Sequence, residues 1–292
     1  MVYSKSSNHS QEEEKPRSDT TSAPESRNTL DAVLHHEPKE AQKIVREGLI
    51  LAGGAVAILL QVANPGVGAG VHEHSNFAYR PVDRLRTTMT YIYCITFGSP
   101  AEKAAIISMV HNAHSTVKGK GYSADDPELQ MWVAATLYAA GTDIYEKVFG
   151  SFSSAEAERI YQDYSVLATA LRVPPEMWPA DRRAFWAYWD AMIESFEITN
   201  HAKSVAHDLL YSKRVPIWIR AGLLVVRLLT AEWLPSRLRE AYGLKTSKIR
   251  RTMYAVFMGI TRGVYPHLPR FAREYPKHYY MKDMRKRMKD IV

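Results

Sequence analysis

The 292-residue chain has one cysteine, Cys94. It can form no internal disulfide and no metal site built from several thiolates, which points to a reducing compartment. Long apolar runs are also lacking. The longest, Gly48–Leu60, is thirteen residues with three glycines, whereas a membrane span needs about 20. Residues 215–230 are broken by Arg220 and Arg227. The first fifteen residues have no apolar core, which excludes a secretory signal. We therefore expect no signal peptide and no transmembrane helix, and a cytoplasmic protein, with the endoplasmic reticulum surface as a peripheral alternative.

Several chemical signatures are missing as well. There is no phosphate loop, no Gly-x-Ser-x-Gly, no His-Glu-x-x-His and no Glu-x-x-His, which argues against nucleotide hydrolysis, serine-type nucleophilic catalysis, zinc proteases and di-iron bundles. Gly66-Val67-Gly68-Ala69-Gly70 lacks the last glycine of a dinucleotide fingerprint and reads as a tight connection after the first core helix. Cys94, in the apolar stretch Tyr91–Ile95, reads as an inert buried thiol.

What is present is ordinary globular composition: 46% hydrophobic, 24% charged, net charge +7. The charge is uneven. Residues 1–40 hold five basic and eight acidic side chains, so the rest of the chain is strongly basic. Residues 1–28 carry almost no bulky apolar side chains, and we expect a disordered acidic tail over 1–38. From about residue 40 the pattern is helical. Ser99-Pro100-Ala101-Glu102, Asp125-Asp126-Pro127-Glu128 and Ser153-Ser154-Ala155-Glu156 are helix starts with a cap or capping box, and Val215-Pro216 opens another. No segment alternates as a strand would. The fold expectation is all-α, in one domain.

Two helical faces carry candidate chemistry. Ile107, Val110, His114 and Val117 share one, with His111 a turn earlier, so either histidine could meet a ligand or be a satisfied core residue. Arg84, Thr87, Thr88 and Tyr91 fall at i, i+3, i+4 and i+7, a polar stripe that faces either solvent or a pocket. His72-Glu73-His74 reads as a turn. The segment Arg270–Lys289 holds eight basic residues interleaved with Tyr and Met. It reads as a solvated helix or a contact for anionic headgroups; with no recognition motif beside it, nucleic acid is not expected as a partner.

Read in order, Gly53–Val71 (GGAVAILLQVANPGVGAGV), Glu73–Phe77, Arg84-Leu85-Arg86-Thr87-Thr88, His114–Gly119 and Tyr122–Val133 resemble the catalytic domain of rubber oxygenases (latex-clearing proteins) and MpaB-type oxygenases, over roughly residues 45–265. That resemblance implies a globin-like helical domain (39–265) holding haem b, followed by a basic extension (266–292). It implies O₂-dependent cleavage of a C=C bond in a small hydrophobic, isoprenoid or polyketide-like substrate, in secondary metabolism of the fungal type. Carried over by position, His114 is the iron ligand, with His111 as alternative. Ile107, Val110, Val117, Trp132 and Phe77 line the porphyrin, and Arg84, Thr87 and Thr88 act on the distal side, with Arg86 beside them as a second cation. Thr87 stands where the family has Lys or Arg, and Asn64 where many members have His. A non-redox isomerase or cyclase, and a haem- or lipid-binding protein without catalysis, are the alternatives for the same pocket.

Overall fold

The computed structural model describes residues 22–74, 81–212 and 217–289, apart from the side chains of 22–27, 81–83, 218 and 219. Fifteen α-helices occur among the described residues: α1 Ser22–His35, α2 Lys39–Val45, α3 Gly54–Ala63, α4 Pro65–His74, α5 Pro81–Phe97, α6 Pro100–Ser115, α7 Pro127–Phe149, α8 Ser154–Thr169, α9 Arg182–Ser195, α10 Asn200–Tyr211, α11 Ile217–Trp233, α12 Ser236–Ala241, α13 Lys248–Val264, α14 Arg270–Arg273 and α15 Tyr275–Lys289. A two-residue antiparallel pair, β1 Lys118–Gly119 and β2 Tyr122–Ser123, is the only sheet among them. The fold is all-α, as the sequence pattern requires.

The helix starts work as their residue types dictate. Ser99 and Ser153 each close a capping box with the glutamate three residues on, and the Asp126 carboxylate accepts from the Glu128 N–H ahead of Pro127. These side chains satisfy N–H groups that the first helical turn leaves without partners.

Helix α7 is the spine. It packs against α2, α3, α8, α13 and the 3-10 turn Gly48–Gly53. Its buried face includes Trp132, Ala135, Tyr138 and Ile144. Around Tyr138 the rings of Tyr161, Tyr164 and Phe185 meet edge to face at centroid distances of 4.9–5.4 Å, the arrangement that aromatic quadrupoles favour. The last turn of α3 leaves the Leu60 carbonyl without a helical partner, and the Trp132 indole N–H donates to it at 2.9 Å. The Tyr242 hydroxyl donates to the Leu59 carbonyl at 2.7 Å. Two distant aromatic residues thus tie the C-terminal half of α3 to α7 and to the end of α12.

Three expectations change. The glycine run 66–70 is not a connection but part of α4. Pro65 opens that helix and the Asn64 side chain accepts from the N–H groups of Gly66 and Val67. At Gly68 a Cβ would lie 2.7 Å from the Val62 carbonyl, so the glycine permits α4 to pack close to the end of α3. His72-Glu73-His74 is the last turn of α4 rather than a separate turn: His72 stacks on His201, and His74 meets the Tyr122 hydroxyl. Of the tail expected over 1–38, residues 1–21 lie outside the described residues, whereas Ser22–His35 is helical and buries Val33.

The basic C-terminal segment lies against the body. Met281 and Met284 of α15 are buried. Arg86 holds the Asp283 carboxylate with two hydrogen bonds, and Arg285 bonds Glu102 at 2.7 Å. Arg86 therefore serves this joint and not a pocket on α5. Arg273, Lys277 and Arg287 are also ion-paired within the chain. Half of the eight basic residues over 270–289 thus already have carboxylate partners. No single helix among the described residues is long and apolar enough to cross a membrane. Lys39–Val45 with Gly48–Ala63 meets the length and composition only as a pair bent by 69°.

Candidate functional site

Helices α3, α5, α7 and α8, with the Gly48–Gly53 turn, line a narrow cleft that is partly open to solvent. Its wall is mostly aliphatic. Gly53, Gly54, Ala57, Ala140 and Gly141 line it where α3 and α7 approach. Four side chains with polar atoms interrupt the apolar surface: Gln61 from α3, Arg84 and Thr88 from one turn of α5, and Tyr164 from α8. An apolar cleft with a few convergent polar groups is the usual form of a small-molecule site.

Arg84 is the unusual member. No carboxylate or carbonyl among the described residues bonds its guanidinium, and burial pushes its pKa below the ordinary arginine value. A cation half-buried in an aliphatic wall is poorly solvated, and an anionic group beside it would offset that cost. The site therefore suits a ligand that is largely apolar and carries negative charge. Thr88 adds a hydroxyl one turn away. Thr87 is exposed and its hydroxyl donates to the Arg84 carbonyl at 3.1 Å, so the two threonines face different surroundings.

His114 and His111 lie in the last turns of α6, beside this cavity rather than in its wall. His114 is half-buried and within electrostatic reach of Arg84, Asp125 and His111. Burial lowers its pKa; Asp125 opposes the shift, and Arg84 and His111 add to it. Its imidazole is consequently neutral at physiological pH. His111 is committed elsewhere. Its Nε2 accepts from the Arg172 guanidinium at 2.7 Å, and its Nδ1 faces Asp125 Oδ1 at 3.5 Å. Accepting at Nε2 places the proton on Nδ1, toward the carboxylate. Arg172, three residues past the end of α8, has a φ of +69°.

The structure thus gathers Arg84 and Thr88 at the cavity and puts His114 near Arg84. The remaining sequence candidates have other settings. Ile107 is buried in the core, while Val110 and Val117 are half-buried, all outside the cavity wall. Trp132 is fully buried between Trp189 and Phe196. Phe77 lies outside the described residues. Sequence reasoning missed Gln61, the small-residue wall and the Arg172–His111 bond. Gln61 had a visible signal, the lone polar residue in Ala55–Ala63. The other two depend on which helices pack together.

Helical architecture and an apolar cleft with a half-buried cation in its wall define an all-α protein with a candidate small-molecule site. Over residues 42–263 the chain matches the family described as ER-bound oxygenase mpaB/B'/Rubber oxygenase, catalytic domain, and it belongs to that family. It carries an oxygenase catalytic domain, which places it among the oxidoreductases. It is similar to the uncharacterized proteins Mb2261 of Mycobacterium bovis and Rv2237 of Mycobacterium tuberculosis. Each is 32% identical over 241 residues, covering 79% of this chain and 94% of the relative. No solved structure matches the chain.

Proposed function

We propose that this chain is a haem b-dependent oxygenase acting on a small hydrophobic metabolite of isoprenoid or polyketide-like chemistry, with oxidative cleavage of a C=C bond as the reaction. The observation that carries the reading is Arg84, a half-buried cation with no carboxylate or carbonyl partner among the described residues, in a mostly aliphatic cavity. A haem is apolar, flat and dianionic at its propionates, and its iron needs one axial side chain. One histidine, His114, stands beside the cavity, and one cation, Arg84, is in its wall. Among the described residues no three His, Cys, Asp or Glu side chains converge as a metal site, so the iron would depend on the porphyrin and a single histidine.

His114 is the better ligand of the two histidines, because its ring makes no hydrogen bond among the described residues, whereas Nε2 of His111 already accepts from Arg172. Bound haem would supply activation of O₂. The side chains of this protein do the rest. Arg84 holds negative charge inside the cavity by charge-assisted hydrogen bonds, and Thr88 and Gln61 offer hydrogen bonds to a polar atom of a ligand. Leu85, Met89, Ile92 and Leu137 exclude water and receive an apolar chain. Thr87, exposed and without a basic group, cannot cap an iron as a lysine would.

The test is an absorption spectrum of protein purified from haem-supplemented cells. The expected result is a Soret band that His114→Ala removes and His111→Ala retains. A colourless protein that takes up no haem overturns the proposal, and turnover that persists without O₂ would favour a non-redox isomerase or cyclase.

A further inference from the structure

Large apolar side chains exposed to solvent are concentrated in one region. Thirteen of the sixteen among the described residues fall between 217 and 279. The centre is α13, where Ile249, Met253, Val256, Phe257, Ile260 and Val264 are exposed. Their spacing of four, three, one, three and four residues puts all six on one helical face. Only Met258 of α13 is buried. Helix α11 packs beside α13 and exposes Ile217 and Leu224 as well, Ile217 to 80%. Phe271, just past α13, is 77% exposed. Isolated apolar residues on a surface need no explanation, but a contiguous face does.

Charge identifies the occupant. Residues 217–279 hold twelve basic side chains and three acidic ones, a net of +9, against +7 for the entire chain. A second copy docking through the same face would bring two strongly basic segments together, even though Arg237 and Arg273 are paired with Glu194 and Glu47. Residues 1–21 cannot cover it either, since their bulky apolar side chains are confined to Met1, Val2 and Tyr3. An apolar face in a basic field is complementary to a lipid surface that is anionic at the headgroups and apolar beneath.

We propose that α11, α13 and Phe271 form a monotopic docking face for anionic membranes. The apolar side chains enter the acyl boundary, while basic residues such as Lys248 and Arg270 stay at headgroup level. This moves the contact expected for residues 270–289 onto the preceding helices, because α15 is packed through Met281 and Met284 and half of its basic residues are ion-paired. The face also adjoins the cavity: α11 packs against the Gly48–Gly53 turn, whose Ile50 and Gly53 line it. A lipophilic substrate dissolved in the bilayer would thus reach the site without crossing water.

The experiment is flotation of the full-length protein with vesicles of phosphatidylcholine, with and without phosphatidylglycerol, at low and high salt. The expected result is binding to the phosphatidylglycerol vesicles that weakens with salt. It should fall at least about tenfold for Met253→Gln combined with Ile260→Gln, two exposed positions whose loss leaves the thermal melt unchanged. Equal flotation of wild type and double variant overturns the proposal. So does a wild-type protein that ignores both vesicles and elutes as a dimer which the same variant dissociates. The readout requires neither haem nor turnover, so its failure is distinct from failure of the oxygenase reading.

Discussion

Arg273→Met tests how the C-terminal helices hold the cavity wall. Arg273 pairs with Glu47 at 2.9 Å, with side-chain exposures of 15% and 6%. Tyr265 donates to the other Glu47 oxygen at 3.1 Å and accepts from the Leu49 N–H at 3.0 Å. One carboxylate thus anchors the start of the Gly48–Gly53 turn to the segment beyond α13. Removing the guanidinium leaves a buried carboxylate with one hydroxyl donor, and breaking such a pair costs about 3 kcal/mol. For a chain of this size that lowers Tm by roughly 6 °C. The pH dependence is the sharper criterion. Burial, partly opposed by Arg273 and Tyr265, already raises the Glu47 pKa above its ordinary 4.5. A raised carboxyl contributes stability that is complete below 4.5 and is lost as pH rises through the folded-state value. Without Arg273 that value rises further, so the loss grows. The stability deficit of the variant should therefore be smallest near pH 4.5 and widen toward neutrality in urea or thermal melts. Adding Glu47→Gln should restore at least half of it, because no charge is then left buried. A deficit that is constant with pH, or greatest in acid, would refute the reasoning.

Three other substitutions or probes follow from the same physics. Arg84→Met should raise the Tm of haem-free protein, by the equivalent of about 1–3 kcal/mol, while abolishing haem retention; a lower Tm would mean the guanidinium has a protein partner after all. At Gly53 an added Cβ would lie 1.9 Å from Ile144 Cδ1. Gly53→Ala should thus cost about 1–3 kcal/mol in chemical denaturation, and Ile144→Val should recover part of that loss; additive losses would contradict it. The Cys94 thiol, pushed up to about 12 mainly by burial, should resist a thiol reagent at pH 8 until the protein is unfolded, then titrate as one thiol per chain.

Local signals were read well because their physics is local. The caps at Ser99, Asp126 and Ser153 satisfy N–H groups within three residues, so spacing alone reveals them. The Gly66–Gly70 run failed as a sequence reading because a glycine-rich helix and a glycine-rich turn look alike in one dimension. The difference lies in Asn64 capping the first turn and in the Val62 carbonyl, which leaves no room for a side chain at Gly68. The site divides in the same way. The Arg84–Thr88 stripe was legible as a periodicity, but whether it met solvent or a cavity depended on α3 and α7.

By itself, the sequence determined an all-α chain, the positions of its helix starts, the absence of long spanning segments and the single inert thiol. Each follows from composition or from contacts a few residues apart. Only the tertiary structure decided that Arg84 stands half-buried with no carboxylate or carbonyl partner among the described residues, that Arg172 engages His111 while His114 makes no hydrogen bond among them, and that α15 is packed while the face of α13 is open. Those outcomes depend on residues tens to hundreds of positions apart, and a guanidinium reads the same in sequence whether it is solvated, ion-paired or enclosed by aliphatic side chains.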